Sequence, residues 1–325
     1  MKSRQERVHV LTGAVCNNNC LFCMEEDRDA RYETNSQTDD STVRWILENK
    51  AGAEEICFTS GEPTLNRRLP VWASWAKGAG IANISVMTNA RMLSQRRYAQ
   101  MLVKSGINRF YVSIHGHESR LHDSLVRTPG AFEQTTNGIR NIASLKRFGL
   151  QLHTSTVVTK RNLPHLASIY VFLRDLGVDQ VVFNVMQANG RANTHFEKIF
   201  PRYTEIAKEA AVFLNAFPDA MAFFVDIPLC TTEGLPDFNR GFVESYTHFE
   251  SVSGGHDIAL LTEIDPQSQC GPDSDLVQLR RSDLDDALRK KRAECAECKY
   301  DSVCEGVWSN YLSRHGWEEF VPVPV

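Results

Sequence analysis

The stretch VCNNNCLFC, residues 15–23, sets Cys16, Cys20 and Cys23 on one short polar loop directly behind the apolar run VHVLTGA (8–14). Three consecutive asparagines between two thiols are unsuited to a core strand, so the segment reads as a loop built around its sulfurs. Thiolates spaced C-x3-C-x2-C can take three corners of an iron–sulfur cubane, because a loop can wrap a cluster larger than a single ion. A cluster used purely for electron transfer has four cysteine ligands. A metal that binds substrate keeps a position open. The missing fourth thiol therefore points to a cluster with one iron reserved for a ligand. Zinc would need a fourth Cys or His at close spacing, and the neighbouring segment offers none.

The rest of the chain sets bounds on this reading. Its 325 residues suffice for one large domain with an appendage or for two domains. Apolar residues make up 42% and charged residues 23%, the balance of a globular protein with a substantial core. The formal net charge of -4 gives no global positive field to attract a nucleic acid backbone, so nucleic acid is not expected as a partner. MKSRQERVHV lacks the apolar core of a secretory signal, and no run of membrane-spanning length occurs, so a cytoplasmic protein with no membrane partner is expected. Nine cysteines in a reducing compartment read as metal ligands before disulfides.

Short β-branched runs alternate with segments of helical period. Strands are predicted at 8–14, 54–60, 83–89, 109–115, 150–158 and 180–186, with helices between them, such as one starting near Ser94 and closed by Gly106. Another carries Phe132, Ile139, Ile142 and Ala143 and ends at Gly149, and a third carries Leu163, Leu166, Ile169, Tyr170 and Leu173. Recurrence of strand and helix predicts parallel pairing through right-handed crossovers. The expected fold class is α/β, a partial (β/α)6 barrel of TIM type over residues 1–217, followed by a small cysteine-rich α+β domain over 218–325. One more helix is expected at 201–217 and a strand-like run at 220–227.

In such a barrel the loops leaving the strand ends converge on one mouth. After the first strand comes the cysteine loop. The next three loops bring Ser60-Gly61-Glu62-Pro63, Thr88-Asn89 and the SIHG run from Ser113 to Gly116. Together, C-x3-C-x2-C with Phe22 before the last Cys and a GEP run about 40 residues later resemble the radical S-adenosylmethionine (radical SAM) superfamily over roughly residues 8–190. In that family the amino and carboxylate groups of S-adenosylmethionine chelate the open iron of a [4Fe-4S] cluster. An electron from the cluster then cleaves the sulfonium to a 5'-deoxyadenosyl radical that abstracts hydrogen from the substrate.

The resemblance implies that Cys16, Cys20 and Cys23 hold the cluster and that Phe22 lies against the adenine. It implies that Ser60, Gly61 and Glu62 meet the methionyl ammonium, with Ser60 where family members carry a glycine. Thr88 and Asn89 would lie near the methionyl or ribose end, Ser113 and Ser155 would touch ribose or carboxylate, and Arg127 would pair with the carboxylate through its planar guanidinium. Read alone, Thr88-Asn89 is an ordinary turn signal, the two serines can serve the backbone, and Arg127 can be a surface ion pair. Asn184 and Tyr203 are candidates to face the substrate. His115, His117 and His122 receive no role, and Cys57 reads as a buried small hydrophobe.

Near the other end, Cys295-x2-Cys298-x5-Cys304 forms a second metal-binding pattern, with Cys230 favoured over Cys270 as the fourth ligand. This tail resembles the SPASM or shortened Twitch extension of radical SAM enzymes, with Trp308 where the full pattern has another Cys. The count fits one auxiliary [4Fe-4S] cluster, a zinc knuckle being the alternative. The run Arg289 to Arg292 reads as a solvated helix end. The expected function is a radical SAM enzyme acting on a peptide, although no leader-binding domain is recognisable. The alternatives are a small-molecule or cofactor biosynthesis enzyme resembling the molybdenum cofactor cyclase, or an iron–sulfur electron carrier or redox sensor. A flavodoxin or ferredoxin is the implied electron donor. Catalytic residues beyond these ligands are not identified.

Overall fold

A computed structural model describes residues 7–24, 39–49, 53–186, 190–233, 235, 289–302, 304 and 306–325. Strands β1 (Arg7–Leu11), β2 (Glu55–Thr59), β3 (Asn83–Thr88), β4 (Arg109–Ser113), β5 (Gln151–Val158), β6 (Gln180–Val185) and β7 (Ala222–Val225) form one sheet, in that order and all parallel. The six expected strands are joined by a seventh, contributed by the apolar run at 220–227. The sheet thus extends past residue 217. Consecutive parallel neighbours require a crossover each. Helices α1 (Asp40–Asn49), α2 (Leu69–Gly78), α3 (Arg96–Ser105), α4 (Ser119–Val126), α5 (Ala131–Ala143), α6 (Leu166–Asp175), α7 (Gly190–Thr194), α8 (Phe196–Ile199) and α9 (Tyr203–Ala216) supply them. Gly106 ends α3 at φ +119°, the left-handed cap its position predicts. The helix at 131–143 stops at Ser144, and Gly149 closes a separate short turn.

Alternation along the strands sorts side chains into two layers. Val8, Val10, Ile56, Phe58, Ile84, Val86, Phe110, Val112 and Phe183 are buried in the apolar core between sheet and helices. Trp72 of α2 joins them with no exposed surface, stacked on Phe58 at 6.5 Å. Its ring N–H donates to Asp40 (2.8 Å), the polar contact a buried indole requires.

The opposite faces of the strands turn into the barrel, and at its N-terminal end they are charged. Glu55, fully buried, pairs with Arg7 (3.3 Å) and Arg109 (2.6 Å) and accepts from the hydroxyls of Ser85 (2.6 Å) and Tyr111 (3.3 Å). Arg7 also donates to Tyr111 (2.8 Å), and Tyr111 stands edge-on to His153. Cys57 is buried as expected, its thiol pushed up to about 12 by burial, with Arg7, Glu55 and Arg109 near enough to act on it.

The C-terminal segment returns to the barrel. Strands β8 (Arg289–Lys290) and β9 (Val307–Trp308) pair antiparallel, and α10 (Ser309–His315) follows. Tyr311 of α10 packs against Phe200 (5.2 Å) and Tyr203 (4.7 Å) at the start of α9. Glu319 caps that helix by accepting from the Thr204 backbone and hydroxyl and pairing with Arg202 (3.0 Å). Tyr203 is therefore a fully buried core residue, not a substrate-facing one. The basic run likewise departs from expectation. Arg289 is strand, buried, paired with Asp226 (2.6 Å) and laid 3.9 Å over the Trp308 ring.

Replacing Glu55 by Ala leaves two guanidinium groups buried without their counter-charge. Breaking a buried pair in this way costs about 3–5 kcal/mol. Urea unfolding of Glu55→Ala is expected to show a loss of that size with an unchanged m-value.

Candidate functional site

The cysteine loop leaves β1 and is fixed from four sides. Thr12 N–H donates to Thr59 O (2.9 Å), which holds the start of the loop beside the end of β2. The SGEP turn then presses against it, with Glu62 N–H donating to Val15 O (2.8 Å). Gly61, at φ +51°, approaches so closely that an added Cβ would lie 2.5 Å from Gly13 O and 2.6 Å from Val15 O. No side chain fits there. Ser60 also occupies the left-handed region, at φ +70°, which accounts for the glycine expected at that position. From a third side, Asn19 N–H and Leu21 N–H donate to the last carbonyls of α4, Val126 and Leu125 (both 3.0 Å). From a fourth, Ala192 N–H of α7 donates to Cys23 O (3.1 Å).

The three asparagines explain themselves at this level. Asn17 Oδ1 accepts from Asn89 Nδ2 (2.6 Å), Asn18 Oδ1 from Arg91 (3.0 Å), and Asn19 Oδ1 from Arg191; Arg91 also donates to Asn17 O. Two arginines, one from the loop after β3 and one from α7, thus grip a loop that carries three thiols. Sequence reading passed over both, because nothing in their local context distinguishes them from surface cations. The run of asparagines was the available signal: each brings an acceptor that a loop without donors nearby would leave unmet.

Several expected contacts are internal. Glu62 is buried (2% exposed), and its carboxylate accepts from Thr64 N–H (3.1 Å), Thr64 Oγ1 (2.5 Å), Thr88 Oγ1 (2.5 Å) and Asn89 N–H (2.6 Å). Burial pushes its carboxyl upward, while these donors pull it down. Thr88 Oγ1 donates to Glu62 and accepts from Ala90 N–H (2.9 Å), so both its functions are used within the protein. Asn89, by contrast, brings its amide to Asn17 and to within 4.0 Å of Cys16 Sγ. Ser113, the last residue of β4, and Ser155, midway along β5, are register partners, half-buried on the interior face, and Asn184 is register partner to Val157. Arg127 is exposed, caps α4 in the left-handed conformation (φ +50°), and directly follows the carbonyl that receives Asn19 N–H. Phe22 is buried, its ring edge-on to His115 at 4.5 Å.

A second gathering of thiols lies beyond β7. Cys230, Cys295, Cys298 and Cys304 line one pocket with Pro228, Trp317 and Phe320. Burial, and then the nearby sulfurs of Cys304, Cys298 and Cys295, push the Cys230 thiol up to about 12. Backbone N–H groups point at two of the sulfurs: Val323 to Cys298 (3.3 Å) and Gly306 to Cys304 (3.4 Å). Cys270 lies outside the described residues. Among the described residues no three His, Cys, Asp or Glu side chains converge at single-ion spacing. Four thiols line this one pocket, the number of cysteines that ligate a four-iron cubane, one at each corner.

The Radical SAM superfamily profile matches residues 10–173 of the chain. The AdoMet-dependent heme synthase of Oleidesulfovibrio alaskensis is 24% identical over 324 residues, covering 93% of this chain and 82% of that protein. A probable GTP 3',8-cyclase of Sulfurisphaera tokodaii is 31% identical over 196 residues, 59% of each chain. Among solved structures, Streptococcus suis SuiB bound to S-adenosylmethionine shares the fold with a TM-score of 0.67 at 16% identity, covering 98% of this chain and 76% of that one. The anSMEcpe complex with AdoMet and the Cp18Cys peptide does so with a TM-score of 0.62 at 13% identity, covering 98% and 93%.

The histidines of this region carry a pH dependence. Burial lowers His122 to about 4 and His153, in the barrel interior, to about 4 as well. A depressed histidine is neutral when folded but protonates in the unfolded chain near 6.5, so stability is undiminished above that pH and falls below it. Each group contributes a slope of about 1.4 kcal/mol per pH unit between 6.5 and 4. Unfolding free energies measured at pH 7, 6 and 5 should decline accordingly, and His122→Gln should decline less steeply than wild type.

Proposed function

We propose that this chain, which belongs to the radical SAM superfamily, holds its S-adenosylmethionine-binding [4Fe-4S] cluster on Cys16, Cys20 and Cys23 and an auxiliary [4Fe-4S] cluster on Cys230, Cys295, Cys298 and Cys304. When bound and reduced, the first cluster supplies one electron to the sulfonium of S-adenosylmethionine, giving methionine and a 5'-deoxyadenosyl radical that abstracts hydrogen from the substrate. The observation that carries this reading is the three-thiol loop at the strand ends of a parallel barrel, gripped by Gly61 and the two arginines, with no fourth thiol of the described residues beside it. A pure electron carrier has no use for the open iron such a loop leaves.

Within the site, Asn89 steadies the loop at Cys16, and Ser113 with Ser155 offers hydroxyls on the interior face of the barrel. Phe22 lies against the adenine, and Arg127 beside the loop is suited to the carboxylate. Glu62 and Thr88 serve by holding the loops in place instead of by touching the ligand. We place the boundary between the two units after β7, since that strand pairs with β6. A small electron-transfer protein of the flavodoxin or ferredoxin class supplies the electron.

For the substrate, a small molecule of cofactor biosynthesis has the better support. The heme synthase relatives match along 90–93% of this chain. A peptide is the second reading, favoured by the peptide-bound anSMEcpe and SuiB complexes, whose likeness is one of fold. Chemistry resides in the site, so the substrate must be decided at the mouth and not from the scaffold.

Anaerobically reconstituted protein is expected to bind roughly eight iron atoms per chain, two four-iron clusters. With dithionite and S-adenosylmethionine it should release 5'-deoxyadenosine. Cys20→Ala should lose about four irons and all 5'-deoxyadenosine, and Cys230→Ala about four irons, while Cys57→Ala keeps the full complement. Zinc in place of iron in oxygen-free material, or product formation by Cys20→Ala, would overturn the reading.

A further inference from the structure

Beyond α10 and Glu319 the chain runs Phe320-Val321-Pro322-Val323-Pro324-Val325. Pro322 and Pro324 carry no backbone N–H, so of the three residues 322–324 only Val323 can donate. A proline also confines the residue before it to the extended region, which fixes both Val321 and Val323. Their side chains alternate accordingly: Val321 is 65% exposed and Val323 3%. The sequence thus encodes a stiff, extended segment with a single amide to offer.

That amide is aimed at a sulfur. Val323 N–H donates to Cys298 Sγ (3.3 Å), while Lys299 N–H donates back to Val323 O (2.9 Å), so the segment lies antiparallel to the cysteine knuckle with Pro324 opposite Cys298. Elsewhere Cys16 accepts from Asn18 and Cys304 from Gly306, each two residues further on. Those are contacts within a turn. The donor to Cys298 stands 25 residues away and reaches it only because the chain folds back. Phe320 and Pro322 of the same segment line the pocket of the four thiols, and Arg292 fixes the Phe320 carbonyl (2.6 Å). A thiolate bound to iron gains negative charge when its cluster is reduced, and a fixed N–H dipole directed at it stabilises that charge. Such a donor makes reduction easier.

We propose that the backbone amide of Val323 tunes the auxiliary cluster, holding its reduction potential above the value that the four thiolates alone would set. This rests on the reading that Cys230, Cys295, Cys298 and Cys304 carry a [4Fe-4S] cluster. The Val323 side chain serves packing, and Pro322 and Pro324 serve by keeping the amide in line with Cys298.

The test uses the full chain carrying Cys20→Ala, so that only the auxiliary cluster is present, reconstituted anaerobically and titrated with dithionite against the EPR signal of the reduced cluster. Val323→Pro removes the amide N–H, and Val323→Ala keeps it. Val323→Pro should hold about four irons. At any fixed potential its reduced-to-oxidised ratio should lie about tenfold below that of the parent, the loss of one hydrogen bond to a charged acceptor, or about 59 mV for a one-electron couple. Val323→Ala should stay within about twofold of the parent. A second measurement needs no proline: in protein labelled with ¹⁵N-valine the reduced cluster should show a ¹⁵N hyperfine coupling, which Val323→Leu abolishes because leucine brings an unlabelled amide. A Val323→Pro ratio within about twofold of the parent overturns the proposal, as does an equal drop in Val323→Ala. Should Val323→Pro take up no iron, the absence of a ¹⁵N coupling that Val323→Leu removes overturns it. Cys20→Ala protein that takes up zinc, or no metal, would overturn the underlying reading instead.

Discussion

A buried carboxylate holds the mouth of this barrel together. Glu62 sits at the end of the second unit, and its two oxygens take donors from its own turn and from the loop after β3. Its backbone N–H reaches the cysteine loop after β1. Three successive loops are thereby referred to one residue. A carboxylate removed from water requires such donors, because unpaired it would be strongly disfavoured. The close passage of Gly61 over Gly13 and Val15 completes the fastening, since the turn can lie that near only without a Cβ. Positioning of the thiols follows from these contacts, and the chemistry of the site follows from the positioning.

Much of this was legible in the chain. Strand positions stood out because apolar and polar residues alternate or cluster in short β-branched runs between helical periods, and parallel order followed from the alternation of types. The loops were legible as a set because the topology delivers every strand end to one rim. Roles within the loops were not. Glu62 and Thr88 sit in the expected motif, yet their side chains face each other. A motif records which residues occur together, whereas hydrogen bonding decides which of them are left over for a ligand.

Long-range pairings were out of reach for a related reason. Arg289 in a basic run resembles solvated surface, and nothing local announces that Asp226 and the Trp308 ring lie in wait for it. Tyr203 reads as a polar-tipped aromatic at a helix start until Tyr311, more than a hundred residues later, is laid against it. The same return of the chain brings Cys230 to one pocket with the three later cysteines. The tail is thus built onto the barrel through aromatic packing and the Glu319 cap.

The charged floor of the barrel has a consequence for traffic. Glu55 with its two arginines plugs the end opposite the loops, where solvent scarcely reaches Arg7 or Glu55. Whatever binds at the loop end therefore has no passage through that floor.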